Sequence, residues 1–450
     1  MSMETFGGKS IFVVGAGKSG LAAALLLLRE GARVTLLDER PKEAVERSLG
    51  AAIPPRVAFV NGRMDERAAV GVDLVVLSPG VPASRLPIEA LRRSGAPVWG
   101  EIELGFRMFR GSVAAVSGTN GKSTVTTLLG EMVSRAFPLV FVGGNLGTPL
   151  AEAAGKPFDW GVVEASSFQL ESIDTFHPKV AVLLNITEDH SDRYEDFAAY
   201  AEAKMALFRN QGGADAAVIN VDDPEISARK GRIRAGMVPF SISRPLAEGV
   251  FLDGGEMVYR SGVREERYPR TLLRIRGTQN VENAMAAIAA ARRIGVPPEA
   301  VREVLAAFPG LPHRVEFVRT ARGVSWFNDS KGTNVGAVLK CLEGFPEPVV
   351  LIAGGKDKGI DFRPLREPLR RKGRAAVLFG EARGRMEREL SGTAPLETVD
   401  TLDEAIRRAA ALARQGDVVI LSPACSSFDQ FRNFEDRGEA FRRAVMELPG

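Results

Sequence analysis

The sequence predicts an α/β protein made of several parallel sheets, and three observations predict it. Apolar runs rich in Val, Ile and Leu alternate with helical patterns along almost the whole chain. Those runs are continuous rather than alternating, as strands covered on both faces require. Two glycine-rich loops, Gly15 to Gly20 and Gly118 to Thr124, each follow such a run and open a helix. That is how an α/β sheet meets a phosphate.

In chain order, residues 10–14 read as a strand, 19–29 as a helix and 33–37 as a strand. Residues 74–77 form another strand, which ends at the turn Ser78-Pro79-Gly80. Strands are then expected at 113–116, 161–164 and 180–185, with helices at 122–135 and 197–209. Residues 249–273 break the rhythm. They alternate and carry Gly254-Gly255, which predicts a small β insertion shaped as a hairpin. An Ala-rich helix follows at 281–294. After Pro309-Gly310-Leu311-Pro312 the strand–helix alternation resumes, with strands at 349–352, 376–379 and 418–421. The 450 residues correspond to about three domains. Boundaries are expected near Arg110-Gly111 and Gly310-Pro312: a Rossmann-like sheet over 1–110, a P-loop α/β domain with the β insertion over 111–311, and a Rossmann-like domain over 312–450.

Composition narrows the function. Lys and Arg number 59 against 56 Asp and Glu, a net +3. So small an excess does not fit a general nucleic-acid or membrane-surface binder. Two distant cysteines, Cys341 and Cys425, exclude a disulfide framework and a four-thiolate zinc site. The first 20 residues lack a basic, then apolar, leader pattern, and the apolar run 21–28 is too short to span a bilayer. A soluble cytoplasmic protein is expected.

Gly15-Ala-Gly-Lys-Ser-Gly20, with Asp38 ending the next strand, fits the G-x-G-x-x-G diphosphate fingerprint. The pattern alone does not separate NAD, FAD and a UDP-sugar. Gly118-Thr-Asn-Gly-Lys-Ser-Thr124 departs from the strict P-loop pattern, which would need Gly at Val116, but keeps its physics. Small residues offer N–H groups, Lys122 neutralises β/γ-phosphate charge, and the Ser123 hydroxyl can ligate Mg2+. Glu164 closes a strand beside this loop, where a further Mg2+ contact would come from. Of the three histidines, His177 reads as structural. His190, at a strand's carboxyl edge, reads as a metal ligand. Lys204, on a helix, would by itself be a solvated lysine.

These segments occur in order with Asn145 in Gly143-Gly-Asn-Leu-Gly147, Glu164-Ala-Ser-Ser, Asn185-Ile-Thr-Glu-Asp-His190, Asn280, Leu311-Pro-His-Arg314, Asn328-Asp-Ser-Lys331 and the block from Ser422 to Phe431. Together they resemble the Mur ligase family over essentially the whole chain. The Gly15 loop, Ser78-Pro-Gly80 and Ser422-Pro-Ala-Cys point to its D-glutamate-adding branch.

The resemblance implies ATP-dependent amide formation between the carboxylate of UDP-N-acetylmuramoyl-L-alanine and the amine of D-glutamate, through an acyl phosphate, in cytoplasmic peptidoglycan precursor synthesis. It implies that Ser19, Asp38, Arg40, Ser78, Gly80 and Asn145 bind the UDP substrate; Glu39 fits less well, because it would set a carboxylate near a diphosphate. It assigns ATP to Gly118, Thr119, Asn120, Gly121, Lys122, Ser123, Thr124, Asn280, His313, Arg314, Asp329 and Lys331. Two Mg2+ ions, or Mn2+ in their place, fall to Ser123, Glu164, His190 and a carbamylated Lys204. Lys122, His190 and Lys204 are the catalytic set. D-Glutamate falls to Thr333, Lys358, Ser427, Phe428 and Phe434. Closure of the C-terminal domain on the nucleotide would gate the reaction. A monomer is expected, with no nucleic-acid partner and no membrane insertion.

Three other readings compete. An NAD(P)-dependent oxidoreductase would explain the Gly15 loop but leave the P-loop, Glu164, His190 and Asp329-Ser-Lys331 idle. Another Mur ligase fits less well at 422–431, and a folylpolyglutamate synthase would not need the first domain. A non-enzymatic nucleotide switch gives the C-terminal pocket no use.

Overall fold

The computed structural model describes residues 5–190 and 193–449. Twenty strands form three sheets among these residues. The first sheet contains β1 (Ser10–Val14), β2 (Arg33–Asp38), β3 (Ala58–Asn61), β4 (Leu74–Leu77) and β5 (Val98–Gly100), in the spatial order 3-2-1-4-5, all parallel.

The second contains β6 (Ser112–Ser117), β7 (Val140–Gly144), β8 (Trp160–Glu164), β9 (Val180–Leu183), β10 (Ala216–Asn220), β11 (Gly236–Ser241), β12 (Gly249–Asp253), β13 (Glu256–Ser261) and β14 (Arg264–Pro269), ordered 14-13-12-11-10-9-6-8-7. The third contains β15 (Glu316–Ala321), β16 (Val324–Asn328), β17 (Val349–Gly354), β18 (Gly373–Phe379), β19 (Leu396–Thr398) and β20 (Val418–Ala424), ordered 15-16-20-17-18-19. β15 runs antiparallel to β16 and the others are parallel.

The chain packs as two compact units. The first is Met1–Tyr268 with Ala284–Val304 and holds the first two sheets. The second is Pro269–Asn283 with Leu305–Gly450 and holds the third. The expected break near Arg110 therefore lies inside the first unit.

β4, β9 and β20 are buried along their whole length. This is the double coverage that their unbroken apolar runs predict. In the first two sheets the strand order reverses at β1 and at β6. Ligands of open α/β sheets bind at such switch points, beyond the carboxyl ends of the strands. Both glycine loops leave the sheets there.

Three expected elements differ in an instructive way. The strand expected over 180–185 stops at Leu183, because Asn185 turns its groups to the loop after β6 instead of the ladder. The helix expected over 197–209 runs Phe197–Met205 and tightens into a 3-10 turn, Ala206–Phe208, as helix ends often do. The 249–273 segment is not a lone hairpin. β12 pairs parallel with β11 and antiparallel with β13, so the insertion extends the second sheet by three strands. Its last turn leaves Val263 fully exposed.

Two buried carboxylates tie the first sheet to the second. They lie on the helix Glu101–Met108, directly after β5. The Glu103 carboxylate accepts from the N–H groups of Asp174, Thr175 and Phe176, from the Thr175 hydroxyl and from Arg107. Burial by itself would raise its pKa, but the Thr175 and Asp174 donors and Arg107 together hold it below the usual carboxylate range. Glu103→Ala would strand these donors and is expected to cost about 3–5 kcal/mol in denaturant unfolding. Because the folded pKa lies below the unfolded one, the stabilisation is present above about pH 4.5 and is lost as pH falls through the folded value. Glu103→Gln should therefore flatten the acid side of the stability–pH curve.

Candidate active site

The loop after β6 is built for phosphate. Gly121 has φ 85° at the helix start, a conformation that favours glycine, and it opens the helix Lys122–Ser134 with its free N–H groups. Lys122 Nζ donates to the carbonyls of Gly118 and Thr119, each at 2.9 Å. Asn185, past the end of β9, brackets the loop. Its Oδ1 accepts from Asn120 N at 2.8 Å, its Nδ2 donates to Asn120 O at 3.1 Å, and its carbonyl accepts from Thr119 N. Ser123 and Thr124 are buried in the first helical turn.

Lys204 is not the solvated lysine that its helix alone suggests. It is 1% exposed, and its Nζ donates to the same Gly118 carbonyl at 2.8 Å. The amine lies 4.7 Å from the centre of the Tyr200 ring. Burial, then the charge of Lys122, push its pKa well below the usual lysine value; Asp189 and Glu164 pull weakly the other way. Burial thus favours the uncharged amine over the ammonium ion. Tyr200 was not singled out from the sequence, although it sits one helical turn before Lys204. Its hydroxyl lies 3.0 Å from Thr119 Oγ1. Thr119 Oγ1 also donates to Thr187 O and accepts from Thr187 N, so the phosphate loop is stitched to the strand-end loop that carries His190.

Glu164, at the end of β8, is 2% exposed. Its Oε1 accepts from Asn145 Nδ2 at 2.6 Å, while its buried Oε2 has no hydrogen-bond partner. An orphaned buried carboxylate oxygen fits a hard divalent cation such as Mg2+. Among the described residues no three His, Cys, Asp or Glu side chains cluster as a metal cage, so an ion there would share phosphate oxygens. His190 has φ 57° and rests on Phe168, ring centroids 4.6 Å apart. His313 also has a positive φ, 62°. Non-glycine residues held in this region concentrate at functional sites. His177 instead pairs with Asp215 at 2.6 Å, as a structural histidine does.

At the other switch point, a cavity of about 230 Å3 is lined by Gly15, Asp38, Glu39, Arg40, Arg63, Gly80 and Arg85, among others. Gly20 must be glycine: a Cβ there would stand 1.9 Å from the Gly15 carbonyl oxygen. Ser78 Oγ donates to that same carbonyl, and Ser19 lies in the first turn of the following helix, Lys18–Arg29. Asp38 accepts from Ala16 N at 2.8 Å and from Arg40 twice through its guanidinium. Burial alone would raise its pKa, but Arg40 and the Ala16 N–H bring it down to about 2. The Ala16 amide of the glycine loop is thus bonded to Asp38. Glu39 does reach the cavity, with Arg63 and Arg85 neutralising it at 2.8 Å each.

In the second unit, Asp329 follows β16. Burial raises its pKa to about 7, against the Ser422 Oγ–H, which donates to it at 2.7 Å. His313 Nδ1 lies 2.9 Å from Asn328 Nδ2. Lys331 Nζ stands 3.8 Å from the Phe434 ring centre, and Arg314 is half-buried beside His313. Asn280 opens the long helix Thr278–Ile294 and donates to Arg276 O.

The two candidate lysines after β17 differ. Lys356 is paired with Glu381 at 2.7 Å, whereas Lys358 Nζ donates to the Thr333 carbonyl at 3.3 Å. Ser427 is buried and Phe428 exposed. Arg437, missed from the sequence, is fully buried and donates to Ser330 O and Oγ and to the carbonyls of Cys425 and Ser426. It fixes the 330 and 425 segments together. Cys425 is buried, and burial pushes its thiol up to about 12, so it is an inert packed residue.

Comparison with known proteins decides the family. The family descriptions "Mur ligase MurD-like, N-terminal domain", "Mur ligase middle domain" and "Mur ligase, glutamate ligase domain" match residues 9–100, 116–291 and 313–425. A UDP-N-acetylmuramoylalanine–D-glutamate ligase of Geobacter metallireducens is 47% identical over 443 residues, 98% of each chain. The chain belongs to the Mur ligase family. A second such ligase, from Syntrophotalea carbinolica, is 43% identical over 449 residues and covers 100% of both chains.

Among solved structures, UDP-N-acetylmuramate-alanine ligase of Thermotoga maritima shares the fold, with TM-score 0.61 and 21% identity over 97% of this chain and 99% of that one. A pseudomurein peptide ligase of Methanothermus fervidus does so with TM-score 0.61 and 18% identity over 98% and 100%. This Mur ligase is an ATP-dependent, amide-forming enzyme of peptidoglycan precursor synthesis, and Mur ligases use Mg2+. No helix among its described residues is long and apolar enough to cross a membrane.

The neutrality of Lys204 has a direct test. Lys204→Met keeps the volume without a charge and should unfold in denaturant within about 1.5 kcal/mol of wild type. Lys204→Arg forces a permanent cation beside Lys122 and should cost about 3 kcal/mol or more.

Proposed function

We propose that this Mur ligase joins the L-alanine carboxylate of UDP-N-acetylmuramoyl-L-alanine to the amine of D-glutamate, with ATP converted to ADP and phosphate. The observation that carries the reading is the convergence of Lys122 and the buried Lys204 on the Gly118 carbonyl, with Glu164 Oε2 buried and without a hydrogen-bond partner. The choice of substrates rests on relatives of that name at 42–47% identity over nearly the full chain.

A carboxylate is a poor electrophile. Transfer of the γ-phosphoryl group to it gives an acyl phosphate, and the D-glutamate amine then attacks the acyl carbon and expels phosphate. Lys122 leaves its carbonyls to bind the β- and γ-phosphate oxygens and offsets the charge that builds there. Gly118, Thr119, Asn120, Gly121, Ser123 and Thr124 supply the N–H and hydroxyl donors of the phosphate loop. Asn280, His313, Arg314, Asp329 and Lys331 are proposed for the rest of ATP.

Ser123, Glu164, His190 and Lys204 would hold Mg2+, which when bound neutralises charge on the transferring phosphoryl group. Lys204, as a neutral amine, adds CO2, forming an N–C bond and releasing a proton. The resulting carbamate is an anion where the bare amine offers none. Ser19, Asp38, Arg40, Ser78, Gly80 and Asn145 are proposed for the UDP substrate. The cavity's three arginines suit a diphosphate once their carboxylates are outnumbered. Thr333, Lys358, Ser427, Phe428 and Phe434 are proposed for D-glutamate, with Lys358 rather than Lys356 as its cation. The proposed domains are 1–110 for the UDP substrate, 111–311 for ATP and 312–450 for the amino acid. A monomer in the cytoplasm, where ATP is present and thiols stay reduced, fits these roles.

The oxidoreductase reading gives no use to the phosphate loop, to the partnerless oxygen of Glu164 or to the buried Lys204. The deciding assay is phosphate release from ATP with UDP-N-acetylmuramoyl-L-alanine, with and without D-glutamate. Release that needs both and matches amide formed is expected; release with another amino acid alone would reassign the acceptor. Lys122→Ala should lower turnover by roughly 100-fold or more. Under 13C-bicarbonate, a carbamate carbon resonance should appear in the wild-type protein and be missing from Lys204→Met.

A further inference from the structure

Glu101 is a buried acid with no role in the chemistry above. It is 1% exposed, the first residue of the helix Glu101–Met108, and stands where the first sheet hands the chain to the second. Its Oε1 accepts from Ala151 N at 2.8 Å, and its Oε2 is buried without a hydrogen-bond partner. The Gln169 side chain and the Leu150 N–H stand beside it and pull its pKa back down against burial. Burying a carboxyl this way is costly, and a glutamate with an unpaired buried oxygen is not kept for stability alone.

Both of its contacts lead to Glu164. Ala151 lies in the turn Leu150–Glu152, which closes the loop carrying Asn145. Asn145 donates from its backbone N to the Glu164 carbonyl at 2.8 Å and from Nδ2 to Glu164 Oε1 at 2.6 Å. On the other side, Gln169 Oε1 accepts from Ser166 N and from Ser166 Oγ, at 3.0 and 3.1 Å, and Ser166 Oγ accepts from Gln169 N. This capping box shapes the turn two residues after Glu164. Glu101 therefore touches the two segments that flank Glu164, one through its hydrogen bond from Ala151 N and one through the neighbouring Gln169 side chain.

We propose that Glu101 is a positioning residue, which holds the Asn145 loop and the Ser166–Gln169 cap so that Glu164 keeps its Oε2 turned away from protein donors and open to a divalent cation. The inference rests on Glu164 serving the Mg–nucleotide complex. Residues that orient a metal ligand from behind act in this way, and their loss typically weakens metal affinity by about 10–100-fold. Glu101 belongs to the connection out of the first sheet, so the same grip sets the nucleotide-side carboxylate relative to the sheet that carries the Gly15 loop.

The test is calorimetric binding of ADP with Mg2+ to full-length wild type, Glu101→Ala and Gln169→Ala, with steady-state kinetics and thermal midpoints alongside. Both variants are expected to lose affinity for Mg–ADP by about 10-fold or more, with metal-free ADP binding and the KM for the UDP substrate within about 2-fold of wild type. Glu101→Gln, which keeps one acceptor oxygen for Ala151 N, should restore most of the affinity. Wild-type Mg–ADP affinity in a folded Glu101→Ala, or in Gln169→Ala should Glu101→Ala fail to fold, would overturn the positioning role and leave the ligase reading intact. Equal weakening of ADP with and without Mg2+ would overturn it too, as a general loosening of the fold. Failure of wild type itself to bind Mg–ADP would remove the nucleotide reading and this inference with it.

Discussion

The carbonyl oxygen of Gly118 accepts hydrogen bonds from two lysine amines, Lys122 at 2.9 Å and Lys204 at 2.8 Å. Two ammonium ions so close, one of them fully buried, repel strongly in a medium of low dielectric. Burial favours the uncharged form of Lys204, while Lys122 lies nearer the surface. Much of the site follows from that division. A neutral Lys204 can rest over the Tyr200 ring without a counter-ion. The Tyr200 hydroxyl is then available to Thr119, and Thr119 ties the phosphate loop to the turn that carries His190. Lys122, the less buried of the two, is the one placed to swing toward a phosphate.

Sheet order does the rest of the positioning. β1 and β6 are the strands at which their sheets change direction. The loops after them diverge from their neighbours and leave a crevice. Ser78 and Asp38 close one crevice from β4 and β2, and Glu164 and Asn185 frame the other from β8 and the end of β9. In the second unit a single guanidinium, that of Arg437, plays an organising part. It donates to five acceptors on three segments at once, and burial brings its pKa down to about 10.

The parts of this site that could be read from the sequence are those whose chemistry is contiguous. The Gly118–Thr124 loop, Glu164 at a strand end and the 185–190 segment each carry their own meaning within a few residues. What escaped reading depends on distant partners. Asp38 was legible as the acid that ends β2, but its bond to Ala16 N, across 22 residues, was not. By residue type alone Lys204 points outward, and only its place in the family pattern marked it for the site; Tyr200 and Ala201 on the same helix are buried with it. Glu101 and Glu103 passed unnoticed, although two acids set among Trp99, Ile102 and Leu104 are a signal that something buried needs an acceptor. β10 was missed because its Ala216-Ala217 start carries little strand preference.

The three-strand extension formed by β12, β13 and β14 lies at the far end of the second sheet from β7, with Val263 on its outermost turn wholly in solvent. Turns of this kind tolerate added chain better than any other part of a domain. Four strands, β9 to β12, separate that turn's own hairpin from β6 and its phosphate loop. The 262–263 junction is therefore a natural attachment point for a fluorophore, a surface tether or a second folded domain, through which a single molecule could be held and watched without a probe crowding its nucleotide.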